Sequence, residues 1–383
     1  MIKVAIIGTG LISDAHIRGY LKFKDRCQIV ALVDIYPEKA EKKAQSYGLD
    51  VKIFKEPGQL LADQPIDLAS ICVPPFAHAS TAIDVLNSGA HVLAEKPMAT
   101  CLQECDEMLA AAEASGKLLS IVAQNRYKTP LMKLKQLLSS GMVGKIIHAQ
   151  VDSFWWRGSH YYDLWWRGTW EKEGGGCTMN HAVHHIDLFQ WYAGMPSEVQ
   201  AVVTNLAHTN SEVEDFSTTV MYFDDGCLGQ VTSSLVHHGE QQRVVIQGER
   251  AMVSVPWEVY TSRQMDNGFP EEDPEMEAQI RAFYDKLPDL EYTDHDGQFA
   301  NTLAAIYGEE PLLIDGHEGR KTLELVSAIY QSGTTNQRVK LPLRQGDAFY
   351  TREGILEAAP RFYEKTHSVE NVETGDITFG REF

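Results

Sequence analysis

The sequence predicts an α/β protein in two parts: a doubly wound parallel sheet, then a second α/β domain built on a mostly antiparallel sheet. Three observations carry this. Residues 1–124 alternate short, branched apolar runs with helix-like stretches, the pattern of a parallel sheet covered on both faces. After Pro130 the rhythm changes to strands that alternate polar with apolar residues, as in an antiparallel sheet with one covered face. Finally, the first strand runs into a glycine-rich turn at the very start of the alternating region.

Taken in order, residues 3–7, 29–33, 68–73, 91–94 and 118–123 read as buried parallel strands, and 51–54 as a further short one. Residues 37–47, 78–88 and 102–115 read as the helices between them. Residues 131–139 form a helix closed by Gly141. The strands of the second sheet are then 146–154, 198–205, 216–223, 228–235, 243–247 and 252–255, with the turn Asp224-Asp225-Gly226 between two of them. One face of that sheet packs on a helix; the other must meet solvent or another subunit. Residues 298–307 and 319–331 are late helices. The organisation expected is a cofactor domain over 1–124, a substrate and oligomerisation domain over 125–343, and a polar, turn-rich surface arm over 344–383.

Composition narrows the function. The 383 residues are 44% hydrophobic and 23% charged, an ordinary globular balance. The formal net charge of −19 repels phosphate backbones and anionic lipid, so neither nucleic acid nor a membrane is an expected partner. No stretch approaches the roughly 18 apolar residues of a membrane span. The chain opens straight into a strand without a leader-like segment, and the six cysteines form no CxxC. Buried thiols in a reducing compartment, and hence a cytoplasmic protein, are expected.

The glycine-rich turn is Gly8-Thr9-Gly10-Leu11-Ile12-Ser13. Gly8 permits a tight turn. Gly10 lacks a Cβ, so the backbone there and at Leu11 and Ile12 can approach a pyrophosphate at a helix N-terminus. Ser13 is small enough for close packing of helix on strand. Asp34 ends the second strand some two dozen residues later, near the spacing of roughly 20 at which a carboxylate meets the adenosine ribose hydroxyls. A 2′-phosphate would face that charge, and no arginine follows Asp34, so NAD is favoured over NADP.

Two further motifs point to chemistry. Glu95-Lys96-Pro97 ends the fifth parallel strand, and ligands of open α/β sheets bind outside the carboxyl ends of the strands. Pro97 holds Lys96 extended. The second motif is Glu173-Gly174-Gly175-Gly176 followed by residues 177–187. The glycines are expected to let the chain pass close to a ligand. A helix after them would put Asn180, His184 and Asp187 nearly on one face, with His181 and His185 as a neighbouring pair. The pair lacks the glutamate of HExxH and an evident third ligand, so no metal is expected. A histidine at such a helix can hold a substrate hydroxyl or carry a proton.

Together these motifs resemble the glucose–fructose oxidoreductase / inositol dehydrogenase / rhizopine-catabolism (Gfo/Idh/MocA) family over about residues 1–343. The resemblance implies an N-terminal Rossmann domain, a C-terminal α/β domain with a large, mostly antiparallel open sheet often used for oligomerisation, and hydride transfer between NAD(P) and a sugar or cyclic polyol. It implies that Lys96 assists proton transfer at the reacting hydroxyl and that His184 is the family histidine. Asn180 stands where many polyol dehydrogenases carry Asp; it can orient a hydroxyl but cannot accept a proton. In this the chain is similar to the branch acting on sugars at C3, including levoglucosan dehydrogenase. Pro74 and His78 match a loop beside the cofactor, and Glu95, Lys96 and Gln124 join the cofactor set. Arg126 and Tyr127 match the crossing where cofactor and substrate meet.

Five of the seven tryptophans lie between positions 155 and 170, interleaved with Arg157, Tyr161, Tyr162 and Arg167. Aromatic faces suit sugar rings, and Tyr and Arg donors suit their hydroxyls or a carboxylate. Arg157 and Tyr161 are therefore read as substrate contacts. By resemblance Trp166 and Arg167 lie near the nicotinamide. The expectation is an NAD-dependent dehydrogenase that oxidises a secondary hydroxyl of a pyranoside, anhydrosugar or cyclic polyol. A homodimer or homotetramer would form through the open sheet face. Whether Lys96 or His184 is the base stays open at this stage. Two rivals remain: a glycosidase of the same family that keeps NAD bound, and an NAD-binding regulator without turnover.

Overall fold

The computed structural model describes residues 1–370. The chain folds as β1 (Ile2–Ile7), α1 (Ser13–Lys22), β2 (Cys27–Val33), α2 (Pro37–Tyr47), β3 (Lys52–Phe54), α3 (Pro57–Asp63), β4 (Leu68–Ile71), α4 (His78–Asn87), β5 (His91–Ala94), α5 (Leu102–Ser115) and β6 (Leu119–Ile121). The strand order β3-β2-β1-β4-β5-β6 is parallel throughout. β1 and β4 are sequential neighbours of the chain reversal, so the crevice at their carboxyl ends is the ligand position of a doubly wound sheet.

The second half runs α6 (Thr129–Ser139), β7 (Ile146–Phe154), α7 (Cys177–Asn180), α8 (Val183–Ala193), β8 (Glu198–Thr204), β9 (Phe216–Tyr222), β10 (Leu228–Ser234), β11 (Gln242–Gly248), β12 (Ala251–Val255), β13 (Glu258–Gln264), β14 (Pro270–Glu272), α9 (Pro274–Lys286), α10 (Asp294–Tyr307), α11 (Gly316–Thr335), β15 (Val339–Lys340) and α12 (Arg352–Ala358). Its nine strands form one sheet in the order β14-β13-β12-β11-β7-β10-β9-β8-β15. Pairing is antiparallel except between β7 and β10. Along β7, Ala149, Val151 and Ser153 are buried under the helices, and the alternate residues face the other side. On that open face Val202, Val220 and Tyr260 are exposed.

Three expectations are corrected, and one late helix is placed. The helix expected after the glycine triplet is broken: α7 ends at Asn180, α8 begins at Val183, and His181 and Ala182 form the joint. The late helix α10 packs back on the first domain, where Phe299 and Leu303 share a core with Val4, Ile6, Ile17 and Tyr20. The core of the first domain thus takes in a helix from well beyond residue 124. The glycines of the triplet serve the protein's own packing: a Cβ on Gly175 would stand 2.2 Å from the Tyr330 hydroxyl, and one on Gly176 1.8 Å from the Glu214 carbonyl. Lastly, the expected surface arm is packed as far as residue 370. Phe349, Tyr350 and Ile355 are buried, Trp170 Nε1 donates to the Pro360 carbonyl at 2.9 Å, and Val369 pairs with Leu164. The rest of that arm, residues 371–383, lies outside the described residues.

Gly19 shows how α10 is seated. A Cβ there would lie 2.1 Å from the Phe299 ring. Alanine in place of a helix-interior glycine ordinarily stabilises by about 0.5–1 kcal/mol, but overpacking costs roughly 1–3 kcal/mol. Sterics win, and Gly19→Ala is expected to lower the thermal unfolding midpoint.

Candidate active site

The cofactor end is built by the first strand ends. Gly8 has φ 94°, and a Cβ on it would meet the Cys72 carbonyl at 2.6 Å. That close approach of β1 to the end of β4 demands glycine. Around Gly10 the opposite holds, since a Cβ there would meet nothing within 4 Å. Open space beside the N-terminus of α1 leaves room for a pyrophosphate, as NAD requires. Leu11 is exposed and Ile12 half-buried on the same turn. Asp34 accepts from Thr9 N at 2.8 Å, Thr9 Oγ1 at 2.7 Å and Tyr36 N at 2.9 Å. These bonds fix the carboxylate at the end of β2 while a carboxylate retains capacity for further donors. Gln124 Oε1 is buried without a hydrogen-bond partner among the described residues, an acceptor left for a ligand. The residues present therefore fit NAD. Asp34→Ala is expected to weaken NAD binding about tenfold or more, since hydrogen bonds to charged groups contribute roughly 1.5–3 kcal/mol. It should also narrow the preference over NADP, both read by titration calorimetry.

The turn after β4 is braced by His78. Its Nδ1 lies 2.7 Å from the Pro97 carbonyl and its Nε2 2.8 Å from the Val73 carbonyl. His78 is thus buried behind Pro74, tying the ends of β4 and β5 together. At the end of β5, Glu95 is buried and Lys96 half-buried; the Lys96–Pro97 bond is cis.

The Lys96 ammonium reaches across to the second domain and donates to the Asn180 backbone carbonyl at 2.9 Å. Burial pushes the Lys96 amine down from its ordinary value. Glu95 and Glu173 oppose that shift, and Arg167 adds to it. Lys96 and His184 line one cavity with Pro97, Val122, Ala123 and Asp187. Burial drives His184 well below its ordinary value, with Lys96 the next cause, so it is neutral. Its Nδ1 is buried without a hydrogen-bond partner among the described residues. The Asn180 side chain turns back instead, donating to the Gly175 and Gly176 carbonyls at 3.0 and 3.3 Å.

The aromatic segment comes near Lys96 through Arg167, whose charge acts on the Lys96 amine, but it does not line this cavity. Arg167 stacks on Trp166 at 4.3 Å and on Tyr161 at 4.2 Å, donates to the Tyr161 hydroxyl, and pairs with Glu173 at 3.0 Å. Burial raises the Glu173 carboxyl to about 7 despite Arg167 and the Gly168 N–H. Tyr161 packs against His181, 5.4 Å between ring centroids. Arg157 pairs with Glu240 at 2.5 Å and lies over the Trp155 and Tyr161 rings.

Two expected substrate contacts belong elsewhere. Arg126 is buried, bonded by Nε and Nη2 to Asp187 at 2.8 Å each and by Nη2 to Glu318 at 2.9 Å. Its charge joins α8 to α11 and does not face the site. The Tyr127 hydroxyl donates to Asn301 at 2.8 Å, which pins α10. One residue that sequence reasoning missed is His295, at the start of α10. Its Nε2 is 4.0 Å from Glu95, and its charge bears on His184. A lone histidine 200 residues from Glu95 carries no spacing signal.

The comparisons decide the family. Residues 2–123 match the model described as the oxidoreductase family with an NAD-binding Rossmann fold, and residues 131–254 match the Gfo/Idh/MocA C-terminal domain. The chain belongs to the Gfo/Idh/MocA oxidoreductase family. It is an NAD-binding oxidoreductase, and family relatives act on sugar and polyol hydroxyls. The D-glucoside 3-dehydrogenase of Escherichia coli is 24% identical over 360 residues, covering 89% of this chain and 97% of the relative. The WlbA dehydrogenase of Bordetella pertussis, solved with NADH and UDP-GlcNAcA, superposes with a TM-score of 0.78 at 28% identity, covering 90% and 99% of the two chains. A levoglucosan dehydrogenase in complex with NADH and levoglucosan shares the fold at 20% identity, with a TM-score of 0.73 and coverage of 89% and 100%. Among the described residues no helix is long and apolar enough to cross a membrane, and no cluster of three or more His, Cys, Asp or Glu could hold a metal ion.

Proposed function

We propose that this family member oxidises a secondary hydroxyl of a pyranose ring, at C3, to a ketone. The observation that carries the reading is the meeting of Lys96, from the end of β5, with the Asn180 carbonyl at the end of α7 and with His184 of α8, which lines the same cavity. When bound, NAD supplies the hydride acceptor. Lys96 receives the hydroxyl proton. Burial brings its amine down toward the working pH, where a general base acts best. His184 lies too far below neutrality to be an effective base, so its ring orients the hydroxyl. Tyr161, Trp166 and Arg167 form the wall against which the sugar ring packs. Asn180, in place of a carboxylate, adds no negative charge beside Lys96. The similarity to D-glucoside 3-dehydrogenase supports the choice of C3.

By the same reading the chain works in the cytoplasm, in keeping with six free, buried cysteines, and as a homodimer or homotetramer joined through the open sheet face.

The test is purified protein with NAD and a panel of pyranosides, anhydrosugars and inositols, read as NADH absorbance, with the product's carbonyl located by NMR. NADH with a 3-ketosugar supports the proposal. Aglycone release without NADH would assign the redox-neutral glycosidase reading, and NAD binding with neither would assign the regulator.

A further inference from the structure

A histidine buried in the core of a Rossmann domain needs a partner strong enough to offset its desolvation. His16, on the inner face of α1, is fully buried, packed 5.0 Å from the Phe299 ring between centroids. Its Nε2 lies 2.9 Å from Glu95 Oε1 and its Nδ1 2.6 Å from Ser70 Oγ. Glu95 is held low: burial alone would raise it, but the His16 hydrogen bond is the largest of the causes that bring it down to about 2. An ionised carboxylate only accepts, so His16 Nε2 carries the hydrogen and Nδ1 accepts from Ser70. Ser70 is then spent as a donor, and the Tyr20 hydroxyl, 3.1 Å away, donates to it. The chain Tyr20–Ser70–His16–Glu95 therefore has one direction, with every donor aimed at the carboxylate.

Four other groups close on Glu95. The Lys96 backbone N–H donates to its second oxygen at 3.2 Å. His295 Nε2 stands 4.0 Å from the first oxygen, with its Nδ1 2.7 Å from Asp294. His78 and the Cys72 thiol lie near enough to feel the charge. Lys96 itself faces Glu95, Arg167 and Glu173, with His181 in the joint between α7 and α8 and His184 on α8. Of these, Glu95 is the adjacent anion and the one bonded to the Lys96 main chain.

We propose that His16 and His295 are positioning residues. They clamp Glu95 as an anion directly behind Lys96 and so set the pH at which the Lys96 amine loses its proton. His295 is delivered by the seating of Phe299 on Gly19, so the clamp spans both ends of the chain. The inference rests on reading Lys96 as the proton acceptor, but the clamp can be measured without turnover.

The experiment is competitive acetylation of the cofactor-free full chain with acetic anhydride over a pH series, with the Lys96 peptide quantified by mass spectrometry. Removing the His16 N–H lets Glu95 take a proton more readily. Lys96 then loses a neighbouring negative charge, its ammonium is less stable, and the labelling midpoint moves to lower pH. His16→Phe is expected to shift it down by about one unit. His16→Gln, which can place an N–H where Nε2 stood, should restore the wild-type midpoint, a rescue that a packing role would not give. Glu95→Gln should shift it at least as far as His16→Phe. His295→Gln, near the surface, serves if His16→Phe does not fold, and should shift the midpoint in the same direction by less. An unmoved midpoint in folded Glu95→Gln, or in both folded histidine variants, overturns the proposal. A shifted midpoint without a matching shift in the acid limb of kcat would leave the clamp standing and remove Lys96 as the acceptor.

Discussion

Replacing Lys96 by methionine is expected to lower kcat on the order of 10²–10⁴-fold, the range that a positioned acid–base group contributes. NAD affinity should change little, because the Gly10 turn and Asp34 sit at the ends of β1 and β2, two and three strands across the sheet from the end of β5. Stability should not fall. Methionine fills much of the same volume and removes the cost of holding an ammonium among Pro97, Val122 and Ala123. The Asn180 carbonyl loses its donor, a modest penalty of about 1 kcal/mol against the larger desolvation saved. The sign is informative: a mutation that nearly abolishes turnover while leaving the unfolding midpoint level or raised marks a residue kept for chemistry. A large drop in the midpoint with turnover intact would show that the buried amine is structural.

Asp187→Ala should do the reverse. Asp187 is buried and supplies both oxygens to Arg126, with Thr322 Oγ1 also donating to it at 3.0 Å. Removing it leaves a guanidinium that is 1% exposed with Glu318 as its remaining carboxylate. Breaking a buried pair from one side costs roughly 3–5 kcal/mol, a midpoint loss of about 4–6 °C in a chain of this size. Glu318→Gln should cost far less, since that carboxyl is half-exposed and shared with Lys321. The double variant Arg126→Met/Asp187→Leu should recover most of the loss, because no charge is then stranded. A loss below about 1 kcal/mol for Asp187→Ala, by denaturant unfolding, would mean that Arg126 is hydrated and free to serve the site after all.

The parallel sheet was readable because buried strands are continuous apolar runs, and residues 91–94 match β5 to the residue; in the second sheet the polar–apolar alternation of residues 146–154 matches β7 to the residue. Helix α9 was invisible because its exposed, charged surface leaves only Ile280 and Tyr284 buried. Arg126 was misread for a related reason. A charge on the domain crossing suggests a ligand, and only the fold reveals that Asp187 and Glu318 already neutralise it. The glycine triplet misled in the same way, since Tyr330 and Glu214 are its close neighbours and both are distant in sequence. Lys96 and His184 could be placed because Pro97 and the strand end fix one of them and the helix beginning at Val183 fixes the other. His16 and His295 could not, because their meaning lies in a shared carboxylate that no local spacing announces.

The most direct test of the account is a single turnover. Purified protein is mixed with NAD and a methyl glucopyranoside from neutral to alkaline pH, and NADH absorbance is followed in wild type, Lys96→Met and His184→Ala. The expected result is a burst in wild type that grows as pH rises through the titration of Lys96. His184→Ala should give a slower burst with the same pH dependence, and Lys96→Met none at any pH. A burst of wild-type rate in Lys96→Met would contradict the account.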